Sequence, residues 1–408
     1  MNPSRLDLLI YAHDGRGLGH ASRSIAVGMA ARRLYPDLKI LFVTGSRMAS
    51  QLIGSVPLDW LKLPAYQTKV VDGVSTGQNS FIRLADSELG ECRGSIIQHL
   101  IGVLRPRCIL ADHTPQGKHK ELVPSLKATR DTDTTWVLGV RGWVGNVPQV
   151  WSDVAKKLFS EHYKHLLWYG DSRLLGKDPM GTLKKHFNIQ PLETGYVCRI
   201  SELDQWLPPR DNTDDDIAGV VSIPWLGEDT KHIIKQLSHA LDKIGPQYGK
   251  WRLFVGSQDD FSNQKWIQGS FSKLPFCKVT PAGEQYRQAL LKAKTAIIYG
   301  GYNSLTDVLY ANVPTVVLLR GMQDEEQQAH MTRLSLLDRD RLITYKANDI
   351  KGDDLARVLH QRLGASKLPN PEINLDGAAM AARYLFQIVT NRNRDRGKLS
   401  ENLNITGS

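Results

Sequence analysis

Tyr299-Gly300-Gly301-Tyr302-Asn303-Ser304-Leu305-Thr306-Asp307 follows an apolar, branched run at residues 295–298 and leads into a stretch of helical spacing that ends at Asn312-Val313-Pro314. The run reads as a buried strand and the stretch as a helix, so the chain turns from strand to helix at the two glycines. Glycine allows torsions and close approaches that a side chain would block. The first amides of the new helix have no partner within it and lie at the positive end of its dipole, which makes a place for a phosphate or diphosphate. A structural account fits the same residues: Gly300 and Gly301 make a tight turn, Ser304 caps the helix, and Asp307 completes a capping box with it. A second glycine turn near the N-terminus favours the functional account.

That second turn is Gly15-Arg16-Gly17-Leu18-Gly19-His20, between an apolar strand at residues 6–12 and a helix that precedes another strand at 39–44. The unit is βαβ, but the spacing is GxGxGH and not GxGxxG, and Thr44-Gly45-Ser46 stands where a dinucleotide site carries an acid. Further strands are expected at 108–111, 136–140 and 165–169, ending in Asp112-His113, Arg141-Gly142 and Gly170-Asp171. Ligands of open parallel sheets collect beyond the carboxyl ends of strands, so Gly17, Gly19, His20, Asp112 and Arg141 are expected to line one crevice.

LPPRDNTDDD at 207–216 has two prolines and then a polar, acidic run without apolar period, and reads as a linker. Alternation of strand and helix restarts beyond it, with strands at 217–223, 251–256, 295–299 and 315–319 and a helix at 230–244. The expected architecture is α/β: a Rossmann-like domain at 1–206, the linker, a second Rossmann-like domain at 217–375, a helix at 376–391 and a disordered tail at 392–408.

The 408 residues carry a net charge of +10, with basic residues scattered and no aromatic interleaving of the nucleic-acid-binding kind, so anionic small molecules or an anionic membrane surface suit the charge better. The N-terminus lacks signal-peptide anatomy and no long apolar run exists, which reads as cytoplasmic. Cys92, Cys108, Cys198 and Cys277 form no metal-ligand spacing. Asp131-Thr132-Asp133 has a DxD form but falls in a polar turn, so no metal is expected.

The combination resembles the two-domain GT-B glycosyltransferases, in particular the branch of the N-acetylglucosaminyltransferase that completes lipid II. Gly17-Leu18-Gly19-His20 is similar to that branch's glycine-rich loop facing the acceptor and the donor diphosphate. The segment from Gly301 to Asp307, continued through Ala311-Asn312-Val313-Pro314, resembles the donor-site helix, where the acid matching Asp307 binds the ribose. Glu326-Gln327-Gln328 resembles a polar pair that contacts the sugar. Closer still, Gly17 to Arg23, Gly170-Asp171 and Thr194-Gly195-Tyr196-Val197 look like a group of bacterial predicted glycosyltransferases, from which the loop 222–228 and the pair Arg141-Gly142 depart.

The resemblance implies inverting, metal-independent transfer from a nucleotide sugar, UDP-linked by preference, to a small-molecule or lipid-linked acceptor, with the nucleotide sugar as co-substrate and no other cofactor. Gly300, Gly301, Asn303 and Ser304 would stabilise charge on the departing diphosphate. Gln327 and Gln328 would hold sugar hydroxyls, and Asp307 the ribose. His20 is the first candidate for the base that takes the acceptor proton and Asp112 the second. A UDP-sugar epimerase or hydrolase, and a non-catalytic nucleotide-sugar binder, remain open at this stage.

Overall fold

The computed structural model describes residues 5–13, 18–71, 74–78, 82–207, 216–224, 226–256, 265–283, 285–320, 326–335, 341–364, 368–369 and 372–390. Gly17, most of the 207–216 stretch and the tail from 391 lie outside the described residues. In chain order the strands are β1 (Leu8–Ala12), β2 (Ile40–Thr44), β3 (Trp60–Lys62), β4 (Gln67–Val71), β5 (Val74–Gln78), β6 (Cys108–Asp112), β7 (Thr135–Arg141), β8 (Tyr163–Tyr169) and β9 (Leu192–Glu193). They continue with β10 (Ile217–Ile223), β11 (Lys250–Val255), β12 (Cys277–Thr280), β13 (Thr295–Tyr299), β14 (Thr315–Leu319) and β15 (Leu342–Lys346).

Two parallel sheets result, ordered β3-β2-β1-β6-β7-β8-β9 and β12-β11-β10-β13-β14-β15, with β4 and β5 as a separate antiparallel hairpin. β1, β6, β13 and β14 are buried at every position, as strands covered by helices on both faces must be, and this is why they read as continuous apolar runs. The strand order reverses between β1 and β6 in the first sheet and between β10 and β13 in the second. Each reversal sends the helices that follow to opposite faces and leaves a crevice at the carboxyl ends of the two strands.

One continuous apolar core joins the lobes. It runs from the first sheet through Tyr302, Leu305, Val308 and Leu309 to Val220, Ile298 and Val317 of the second sheet, whose other face has a core of its own. The chain also comes back to the first lobe at its end. Tyr196 N donates to Asn374 O, Gly377 N donates to Tyr196 O, and Asn374 N donates to Asp171 Oδ2. Gly195 sits at φ +87, and a Cβ there would stand 2.5 Å from the Asn374 side chain, so both its torsion and its space require glycine. Through these contacts the Gly170-Asp171 and Thr194-Gly195-Tyr196-Val197 motifs together receive the returning chain.

The helix Gly377–Thr390 then packs along the first helix, Gly19–Leu34, burying Ala378, Ala381, Ala382, Leu385 and Val389, with Phe386 stacked 3.8 Å from Tyr35. Small residues let the two helices approach, and Leu385 is the largest aliphatic side chain that the last helix buries. Leu385→Ala should cost about 2–5 kcal/mol, as other buried leucine truncations do. Urea unfolding would show it as a lowered midpoint; a midpoint within error of the parent would mean that this helix is not part of the cooperative unit.

Candidate functional site

The first crevice brings together residues that are ninety apart in sequence. His20 is the second residue of the helix after β1, and Asp112 is the last residue of the neighbouring strand β6. Nδ1 of His20 lies 2.5 Å from Oδ2 of Asp112. Arg23, one turn further along the same helix, donates from Nε to Oδ1 at 3.1 Å and from Nη2 to Oδ1 and Oδ2 at 3.0 and 2.9 Å. Burial by itself would raise the Asp112 pKa, but the Arg23 charge and the His20 hydrogen bond outweigh it and hold the carboxyl at about 2. An ionised Asp112 fixes the proton of neutral His20 on Nδ1 and leaves the lone pair on Nε2.

His20 itself titrates below its ordinary value, because burial disfavours the imidazolium and Arg23 and Arg141 add to that, against the opposing pull of Asp112. It is therefore a neutral imidazole at neutral pH, the form that accepts a proton. Asp112, the second candidate base, is 1% exposed with both oxygens engaged. Its position is that of a group holding His20 rather than one meeting a substrate. Two histidines that the sequence did not single out close the crevice: the His13 and His113 rings lie 4.0 and 5.2 Å from His20. Burial and then the Arg141 charge push His113 well below the usual range, so it too is neutral. Its Nδ1 is buried and has no hydrogen-bond partner among the described residues.

Arg141 ends β7, and Gly142 after it explains one departure noted in the sequence. A Cβ at Gly142 would meet Tyr169 O at 3.0 Å and the Gly170 Cα at 3.2 Å, so the two loops pass backbone against backbone.

The facing element is the helix Tyr302–Tyr310 after β13. Its N-cap is Gly301, with extended torsions and no side-chain cap; Ser304 lies inside the first turn, so the capping box with Asp307 does not form. The reason is that the helix begins earlier than the capping reading requires, at Tyr302. A Cβ on Gly300 would stand 2.8 Å from Leu319, whereas one on Gly301 would meet nothing within 4 Å among the described residues. Gly300 is thus required for packing, and Gly301 leaves open space at the helix start. The first helical bond runs from Leu305 N to Gly301 O, and among the described residues no acceptor meets the amides of residues 301–304.

Across the junction, Asn303 Nδ2 donates to Gly19 O at 3.1 Å, so the N-terminus of this helix meets the N-terminus of Gly19–Leu34. Two positive helix ends therefore converge beside Arg23 and Arg141, and such a junction favours an anion. Oδ1 of Asn303 and Oε1 of Gln327 are buried there without a hydrogen-bond partner among the described residues. Gln327 Oε1 is 3.4 Å from where a Gly300 Cβ would stand, while its neighbour Gln328 is exposed. His330, one turn on, instead accepts or donates at 2.8 Å to the Tyr196 hydroxyl, and burial followed by the Arg141 charge lowers it to about 4.

Asp307 lies one turn beyond Asn303 and faces the first lobe, with Oδ1 3.9 Å from Cys198 Sγ. Burial pushes its pKa up to about 7, opposed by the Arg199 charge. Arg199 opens the helix Arg199–Trp206 and donates to Ser22 Oγ and Leu52 O, each at 3.2 Å. Sequence reasoning gave no role to Arg23, Arg199, His13, His113 or His330, because the contacts that define each of them exist only once the fold has brought its partners together. Asp133 of the DxD stretch is paired with Arg5, 2.5 Å away.

Two Rossmann-like sheets with their switch points facing, and a closing helix returned to the first lobe, decide the architecture. This is the GT-B fold. Solved structures agree at low identity. MurG of Acinetobacter baumannii superposes with a TM-score of 0.54 at 14% identity, over 94% of this chain and 98% of that one. The UDP-GlcNAc 2-epimerase of Methanocaldococcus jannaschii gives 0.61 at 12% identity, over 93% and 99%. A ugt transferase from Siraitia grosvenorii, in complex with UDP, gives 0.53 at 12% identity, over 94% and 100%. No protein-family model matches the sequence, and neither does any curated protein. No described helix of this GT-B chain is long and apolar enough to cross a membrane.

The Asp307 environment has a measurable consequence. Its folded-state pKa lies above the ordinary 3.8, so the folded chain holds a proton that the unfolded chain releases, and stability falls as pH rises from about 4 through about 7. Asp307→Asn should raise the melting temperature of the ligand-free protein at pH 8, with a gain that shrinks as the pH is lowered towards 4. Identical melting curves at pH 8 would show that the carboxylate is fully solvated.

Proposed function

We propose that this protein transfers a sugar from a nucleotide sugar, UDP-linked by preference, to the hydroxyl of a small-molecule or lipid-linked acceptor. The observation that carries the reading is the meeting of two helix N-termini, joined by Asn303 and Gly19, directly beside a His20–Asp112 pair. Amides of residues 301–304 receive the diphosphate and stabilise the charge it gains as the anomeric bond breaks, without a metal. Gln327, turned toward Gly300, holds a sugar hydroxyl, and Asp307 takes the ribose hydroxyls. The acceptor hydroxyl gives its proton to Nε2 of His20 as it attacks, and Asp112 stabilises the imidazolium that forms. Attack from the face opposite the leaving diphosphate inverts the anomeric carbon. The likeness to MurG and to a UDP-bound transferase supports a nucleotide-sugar donor.

The closer superposition on an epimerase keeps one other reading, in which the donor alone is the substrate. A mass-spectrometric screen of nucleotide sugars with pooled acceptors separates the two, since the epimerase reading needs no acceptor. UDP should stabilise the protein to heat, and Asp307→Ala should remove most of that shift. His20→Ala should leave the UDP shift intact and lower turnover by roughly 10²–10⁴-fold, the usual loss for an acid or base. Absence of stabilisation by every nucleoside diphosphate would remove the donor site from consideration.

A further inference from the structure

Arg23 stands where the two halves of the site touch. It is 2% exposed, it grips Asp112 through three hydrogen bonds, its Nη2 lies 3.3 Å from His20 Nδ1, and its guanidinium lies 5.4 Å from the centre of the Tyr302 ring at the start of the facing helix. We propose that Arg23 is a positioning residue that locks Asp112 and so keeps His20 in the neutral form with its Nε2 lone pair free. This rests on the reading of His20 as the base in the transfer proposed above.

The physical argument starts from the pair without Arg23. A buried carboxylate 2.5 Å from an imidazole, with no other counter-charge, draws a proton onto that imidazole, and an imidazolium is no base. Arg23 already neutralises Asp112, so the pull on a proton at His20 weakens, while its own charge repels one. The fork also fixes the carboxylate plane, because Nε and Nη2 together take Oδ1 and Nη2 also reaches Oδ2, which leaves Oδ2 directed at His20. Lysine supplies a point charge without that fork.

The other groups facing His20 do not replace Arg23. His13 and His113 are rings against His20 from the ends of β1 and β6, and Arg141 faces it from the end of β7, adding positive charge at a site where, among the described residues, Asp112 is the acid acting on it. From the facing helix come Asn303, which is uncharged, and Tyr302, whose phenol burial pushes up and keeps neutral. Tyr302 in turn donates to Tyr169 O at 3.0 Å and accepts from Val197 N at 2.8 Å, so the surface on which Arg23 rests is itself fixed to the first lobe.

The test follows the His20 imidazole directly by NMR titration of the full chain, with its signal assigned by its loss in His20→Gln. In Arg23→Met the His20 midpoint should rise by at least about one pH unit, a tenfold gain in proton affinity. The acidic limb of kcat/KM should move up with it, because the base is lost as pH falls through its pKa. A midpoint equal to that of the parent overturns the proposal, since a merely structural arginine would lower stability without moving it. Should Arg23→Met not fold, Arg23→Lys decides: the charge is kept, so turnover on the alkaline plateau should fall about tenfold through lost orientation, with the donor KM little changed. Parent-level turnover in Arg23→Lys overturns the proposal. If the parent protein transfers no sugar, the functional reading fails, yet the titration still reports on Arg23.

Discussion

The buried hydroxyl of Tyr302 fixes the geometry on which the rest depends. It donates to the carbonyl of Tyr169 at the end of β8 and accepts the amide of Val197, so the first residue of the second lobe's key helix is hydrogen-bonded to the first lobe on both sides of its oxygen. A buried phenol without such partners would be costly, and here both of its functions are met by backbone groups, which any side-chain change other than proline at Val197 leaves in place. The Tyr196 ring stacks on it at 5.5 Å and His330 packs behind at 6.4 Å. The start of the helix is thereby held against Gly19, and the spacing between the open amides at Gly301 and the His20 ring is set by protein packing.

Charge explains the composition of the junction. Two helix N-termini and the guanidinium groups of Arg23, Arg141 and Arg199 lie within one region, and among the described residues the carboxylates that enter it are Asp112 and Asp307. The two acids are treated in opposite ways. Asp112 is paired and held strongly ionised, whereas Asp307 has only the Arg199 charge and a weak thiol contact to oppose its desolvation, so its pKa rises. A carboxylate kept in such a place costs stability. That cost supports the ribose-binding role proposed for Asp307, since a group serving the fold alone has no need to bear it.

Most of the scaffold was legible in the sequence. The strands at 217–223, 295–299 and 315–319 and the helix at 230–244 stand at the expected bounds, because buried parallel strands leave continuous apolar runs and a half-buried helix leaves a clear period. The pairing of His20 with Asp112 was reachable too, since one follows and the other ends a strand at the carboxyl ends of the neighbours β1 and β6. The partners of those residues were not. Arg23 looks like any basic residue on a helix until β6 brings Asp112 beneath it, and Gly142 looks like a changed motif until Gly170 is seen against it. The capping reading of Ser304 failed for a local reason: propensity selects serine for a cap, but the packing of Tyr302 started the helix sooner.

The return of the chain at Asn374 to Gly377 matters beyond the pairing it makes. Covalent continuity links the lobes once between Leu207 and Asp216 and again between the helix Gly352–Leu363 and Asn374. Bodies tied at one point can swivel freely, while bodies tied at two are confined to rotation about the line through both ties. The second tie therefore narrows how the lobes can move against each other and backs the Tyr302 hydrogen bonds in holding Asn303 to Gly19.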